Sequence, residues 1–96
     1  MQLLPLVVKN LNQTLYYYNQ QADIKNPLGK VSAILSEYVI IKNKENIGEI
    51  ICKLYKTKEG YWYDSDEIYA EINSKTRLDI KSAIDAKEIE SSKKPT

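Results

Sequence analysis

Residues 37–64, EYVIIKNKENIGEIICKLYKTKEGYWYD, decide the fold. Tyr38-Val39-Ile40-Ile41 is a β-branched and aromatic run, and such side chains lose little rotamer freedom on a pleated, half-buried surface. Asn43-Lys44-Glu45-Asn46 interrupts it with polar residues, including two asparagines that tolerate left-handed backbone. From Gly48 to Lys56 the pattern alternates: Ile50, Cys52 and Leu54 point one way, and Glu49, Ile51, Lys53 and Tyr55 the other. Thr57-Lys58-Glu59-Gly60 then closes a hairpin, with glycine where a three-residue loop requires positive φ. With Lys58, Glu59 and Gly60 as that loop, Thr57 pairs with Tyr61, Lys56 with Trp62, and Tyr55 with Tyr63. The stretch reads as three consecutive antiparallel strands joined by two short turns.

This register sorts side chains, because paired residues share a face. Trp62 joins Leu54 and Cys52 on an aliphatic face, the expected core. There the indole is read as an anchor under a covering helix, in preference to the wall of a ligand pocket. Tyr55, Tyr61 and Tyr63 gather on the opposite face beside Ile51, as a wet or contact surface.

The flanks extend this sheet and cover it. Residues 3–22 admit two readings. In one, Leu3–Lys9 and Thr14–Gln20 form a hairpin around Asn10–Gln13. In the other, Leu4, Val7, Val8, Leu11, Leu15, Tyr18 and Ala22 form one stripe of an amphipathic helix with Pro5 in its first turn. The hairpin is the expectation, since the polar tetrad and three successive tyrosines make poor helix interior. Asn26-Pro27-Leu28-Gly29 has type I turn residues at its first, second and fourth positions. Val31–Leu35 is strand-like, and Ser36-Glu37 reads as a bulge or kink, because a straight strand from 31 to 43 would be unusually long. Asp64-Ser65-Asp66-Glu67 breaks the sheet, and residues 68–72 suit one turn of helix or a short edge strand equally. Asn73–Thr76 offers helix N-caps, with Asp79 three residues beyond Thr76. Arg77–Glu90 is helical in pattern: Ile80, Ala83, Ile84 and Lys87 share a face, with Leu78 and Ile89 at its margins. The expected fold is α+β, an antiparallel meander of four to five strands with a C-terminal helix packed on one face. Residues 1–90 form one domain and residues 91–96 a disordered polar tail.

Composition narrows the chemistry. The chain has 96 residues and a net charge of +1, which provides no global field for nucleic acid or an anionic membrane. It contains no histidine, so a Ser-His-Asp or Cys-His site cannot be built within one chain. One cysteine, Cys52, excludes an internal disulfide and, without histidine, the usual zinc sites; it is read as an inert buried thiol. Gly29, Gly48 and Gly60 are isolated, and none belongs to a phosphate-binding loop. Asp64, Asp66 and Glu67 resemble the start of a calcium loop but lack its glycine and its distal glutamate, so they read as a solvated acidic loop. No cofactor or metal is expected, and no run reaches membrane-spanning length. The N-terminus shows no basic leader, which suggests a reducing, cytoplasmic setting.

Eight tyrosines stand without a single phenylalanine. Tyrosine offers contact area at low entropic cost, with a hydroxyl that tolerates water. The first expectation is therefore a small non-enzymatic interaction domain. It would self-associate, as a homodimer for instance, or bind a partner protein through the tyrosine-rich face or an open edge strand. The alternative is a weak single-stranded nucleic-acid or carbohydrate binder that stacks its ligand on Tyr55, Tyr61 and Tyr63 beside Lys53 and Lys56. The bland reading of the same tyrosines is a cross-strand ladder that stiffens a thin sheet.

Overall fold

A computed structural model describes residues 2–25, 28–29, 31–63, 67–68 and 72–92. Strands β1 (Leu4–Val7), β2 (Thr14–Lys25), β3 (Val31–Ile41), β4 (Ile50–Lys56) and β5 (Glu67–Ile68) are followed by helix α1 (Ser74–Ser92). The sheet is an antiparallel meander in the order β1-β2-β3-β4-β5, and α1 lies on one of its faces. Among the described residues no helix is long and apolar enough to cross a membrane.

Residues 3–22 form the hairpin. Leu6 and Val8 are buried while Val7 is 78 % exposed. That period-two alternation is incompatible with the helical stripe, which needed Val7 inside. Asn10 turns the β1–β2 loop with φ 67°, a conformation asparagine accepts more readily than most residues. The second hairpin also has the expected register. Thr57 N–H donates to the Tyr61 carbonyl at 2.7 Å, Lys56 bridges to Trp62, and Tyr63 N–H donates to the Tyr55 carbonyl at 2.8 Å. Gly60 sits at φ 94°, where a Cβ would be strained.

Four expectations need correction. The third strand of the meander reduces to the single Trp62 bridge, and β5 takes up pairing with β4 at Cys52↔Ile68 and Lys53↔Glu67. Ser36-Glu37 is not a bulge: β3 runs unbroken from Val31 to Ile41, because β2 supports its whole length and β4 its second half. The register shift near this point lies between Ile40 and Ile41. It places Ile50 opposite Ile41 and lets Ile51 pack against the helix-side core, the reverse of the alternation read from the sequence. The helix starts at Ser74, three residues early, because Asn73 is the cap: its Oδ1 accepts from Thr76 N–H at 2.8 Å. At its other end α1 runs through Ser92. The turn residues Asn26 and Pro27, the acidic residues Asp64 and Asp66, and residues 93–96 lie outside the described part.

The register sets out two faces in rows. The helix-side rows are Leu6–Leu15, then Leu4–Tyr17–Ile40–Cys52, then Asn19–Tyr38–Leu54, then Gln21–Ser36–Lys56–Trp62. Ile80 and Ile84 of α1 close over them, both with no exposed surface, with Ala83 and Trp62 partly buried beside them. The indole therefore belongs to the core, as the register requires. Leu78 and Ile89, at the helix margins, stay exposed. Truncating a fully enclosed Ile leaves a cavity as well as losing transfer energy. Ile84→Ala should lower stability by about 2–5 kcal/mol and Leu78→Ala by less than about 0.5 kcal/mol, as read from urea midpoints.

Candidate functional site

The helix-free face is not a bare platform. Its rows are Tyr16–Ile41–Ile50, Tyr18–Val39–Lys53, Gln20–Glu37–Tyr55 and Ala22–Leu35. Val39 and Ile41 have no exposed surface, and Leu35, Tyr55 and Glu37 are also buried. Half-buried Tyr16 and Tyr18 flank the aliphatics from β2, and Gln20 Nε2 donates to Glu37 Oε1 at 2.7 Å. The β-branched residues of this face are therefore buried, with phenol rings and a Gln–Glu pair beside them in the sheet rows.

The residues expected to form a binding patch are divided by this arrangement. Tyr55 is buried, Tyr63 sits at the rim beside it, and Lys53 lies on the same face next to Val39. Tyr61 is 72 % exposed at the end of the hairpin. Lys56 stands on the opposite face, under the helix. Parity explains this: one residue along a strand changes side.

Lys56 is the centre of a polar network that sequence reasoning did not single out. Its Nζ donates to Asp85 Oδ1 at 2.6 Å and to Glu88 Oε1 at 2.7 Å, and lies 4.8 Å from the centre of the Trp62 ring. Trp62 Nε1 donates to Asp85 Oδ2 at 3.0 Å, and the Tyr38 hydroxyl to Glu88 Oε2 at 2.7 Å. Each carboxylate oxygen of Asp85 and Glu88 therefore has a donor. Burial alone would pull the Lys56 ammonium down, but its bonds to Asp85 and Glu88 outweigh that and hold it above its ordinary 10.5. Burial, then the bond to Glu88, push the Tyr38 phenol above its ordinary 10.0. Burial, aided by the Glu88 charge, raises Tyr17 in the same direction. A lysine held charged and phenols held neutral are suited to clamping a helix and ill suited to acting as nucleophile or base. An open cleft of about 590 Å³ beside the network is bordered by Ser36, Lys58, Gly60 and Ile89. The carboxylates that reach it are already committed to Lys56. A signal for the network was present in the sequence: a lysine paired with Trp62 on the core face needs a counter-charge, and Asp85 and Glu88 follow Ile84 within one turn of the covering helix.

The sheet edges differ from one another. Pro5 removes one donor from the outer edge of β1, and Lys87 Nζ donates to the Pro5 carbonyl there. The outer edge of β4 is taken by Trp62, Tyr63 and β5. β1 pairs with β2 only as far as Tyr17, however, and β4 with β3 only from Ser36 onward. Among the described residues, Tyr18–Lys25 of β2 and Val31–Leu35 of β3 have no strand on their outer sides. Together they make a two-stranded ribbon that projects from the body. Asn19, Gln20, Gln21, Asp23 and Lys25 are exposed along it. Among the described residues no group of three His, Cys, Asp or Glu could hold a metal ion; the Asp64, Asp66, Glu67 group falls largely outside them.

Compared with protein-family models, with curated proteins and with solved structures, the chain matches none.

Removing the Lys56 ammonium leaves two carboxylates facing a phenol and an indole. Those carboxylates keep about 40 % of their surface in water. Lys56→Met should therefore cost about 1–3 kcal/mol, less than a fully buried pair would, and adding Asp85→Asn and Glu88→Gln should recover most of the loss in thermal melts. The pH dependence follows from upward shifts alone. Below the ordinary values of 10.0 and 10.5 both states hold these protons, and the stabilisation is intact. Above them the unfolded chain releases protons that the folded chain retains, so stability falls as pH rises further. Urea midpoints should fall above about pH 10, and the fall should be smaller in Tyr38→Phe.

Proposed function

We propose that this chain is a small non-enzymatic protein-interaction domain that binds through the open backbone edge of its long β2–β3 hairpin, taking a strand from its partner into the sheet. The observation that carries this reading is the contrast between edges. A sheet edge is a row of unpaired donors and acceptors, a liability that folded chains normally blunt. Here β1 is blunted by Pro5 and Lys87 and β4 by Trp62 and β5, while among the described residues no strand pairs with the outer side of β2 from Tyr18 onward. Edge addition draws affinity from main-chain hydrogen bonds and specificity from alternate side chains. An isolated two-stranded ribbon is marginal in water, so a third strand would also order it. The near-neutral chain poses no barrier to a protein partner. A reducing cytoplasmic setting accords with the single buried thiol of Cys52.

The tyrosine-stacking alternative draws its support from Tyr61. It is weakened by the burial of Tyr55 and by the position of Lys56 on the other face.

Selection from a displayed library of random twelve-residue peptides tests the reading. Extended, β-branched binders should emerge, and they should shift and protect backbone amides of Tyr18–Lys25. Binders that perturb only Tyr61 and Tyr63, or oligonucleotides that bind at low salt and are weakened by Tyr61→Ala, would move the function to the tyrosine face.

A further inference from the structure

Resting on that edge reading, we infer that the partner strand is β2 of a second copy, paired antiparallel about a two-fold axis at Ala22. The direction of the backbone groups can be followed across the sheet. Tyr55 turns its carbonyl outward to Tyr63, so the N–H and C=O of Leu54 face β3, where Leu54 pairs with Tyr38. Alternation then turns Val39 toward β2 and its partner Tyr18 toward β3. Gln20 and Ala22 follow Tyr18, and Asn19, Gln21 and Asp23 point out of the sheet. The outward carbonyl of Pro5, held by Lys87, gives the same parity from the other side of the sheet.

A two-fold axis perpendicular to the sheet keeps each face on its own side, so each residue pairs with one of its own parity. Few registers satisfy this. Centring on Gln21 would bring Lys25 against Tyr17, the position β1 already occupies. Centring on Asp23 would set two like carboxylates directly opposite each other, which is unfavourable. Centring on Ile24 matches Asp23 with Lys25 but leaves little paired chain. Centring on Ala22 pairs Gln21 with Asp23 of the second copy, twice, and brings Lys25 beside Asn19, two positions short of Tyr17. The outward backbone groups of Gln21 and Asp23 then bond each other. Their side chains are already matched in kind: within one chain Gln21 Nε2 donates to Asp23 Oδ1 at 3.1 Å. Ala22, the smallest side chain on this edge, lies at the axis, where a non-hydrogen-bonded pair brings side chains closest. The product is one continuous sheet with both helices on the same side.

Light scattering across a concentration series should show a mass twice that of the chain, dissociating on dilution. Two like-charge contacts introduced by Gln21→Glu should weaken the dimer about two- to thirtyfold, and Gln21→Lys, facing Asp23, should tighten it. Under mild oxidation Ala22→Cys should cross-link to itself, since opposed Cβ atoms at the axis fall near the range a disulfide spans. Lys25→Cys on the same ribbon should not, and buried Cys52 should stay silent. A monomer at every concentration overturns self-pairing, and if selected peptides still protect Tyr18–Lys25 the edge reading survives it. A dimer in which Ala22→Cys fails to cross-link overturns this register.

Discussion

The period-two alternation of β3 and β4, locked by the pairing of Tyr38 with Leu54 and Ile40 with Cys52, is the constraint on which the other features depend. It sends Tyr38, Ile40, Cys52, Leu54 and Lys56 to the helix side and Val39, Ile41, Lys53 and Tyr55 to the other. It also fixes which backbone groups face inward, and through β2 which face out of the sheet. A slip by one residue would exchange the faces entirely. The aliphatic surface of α1 would then meet Lys53 and Tyr55, and the acids of α1 would lose Lys56.

The two faces are enclosed by different means. On the helix side, Ile80 and Ile84 seal an apolar patch, and the Lys56–Asp85–Glu88 network ties the margin of the helix to Trp62 and Tyr38. Ion pairs of this kind contribute little net stability compared with well-packed apolar groups. Their directional bonds instead set how far along the sheet the helix sits, because both acids must meet one ammonium. On the other side no helix is present among the described residues, and half-buried Tyr16 and Tyr18 stand in the same rows as the buried Ile41 and Val39. A ring at the margin of a thin sheet has one wet end, and the hydroxyl lets it stay half-buried without an exposed apolar edge.

Edges are the remaining problem for any open sheet, and here they are handled unevenly. Pro5 and Lys87 close one side, and the return of the chain through Trp62 and β5 closes the other. The β2–β3 hairpin outgrows both neighbours, so among the described residues no strand pairs with the outer sides of its distal half. The ribbon stands apart from the contacts of α1, which packs on the rows nearer β1 and β4.

Much of the architecture follows from local chemistry that the sequence states directly. Alternation from Cys52 to Lys56, glycine at position 60 and the polar tetrad at 10–13 determine two hairpins and their turns, because strand period and left-handed backbone are local preferences. The register of Lys56 against Trp62 and the apolar stripe through Ile80 and Ile84 place the indole under the helix. What the residues alone did not determine is non-local. The unbroken length of β3, the shift at Ile40–Ile41 that reverses Ile50 and Ile51, and the pairing of Glu67–Ile68 with β4 depend on support from neighbouring strands. Propensity cannot register that support. The meeting of Lys56 with Asp85 and Glu88 joins residues about thirty positions apart, and the pairing of β1 with β2 ends at Leu4 opposite Tyr17. Charge pairing across a packed helix and the relative lengths of adjacent strands are properties of the assembled sheet, so only the tertiary structure could decide them.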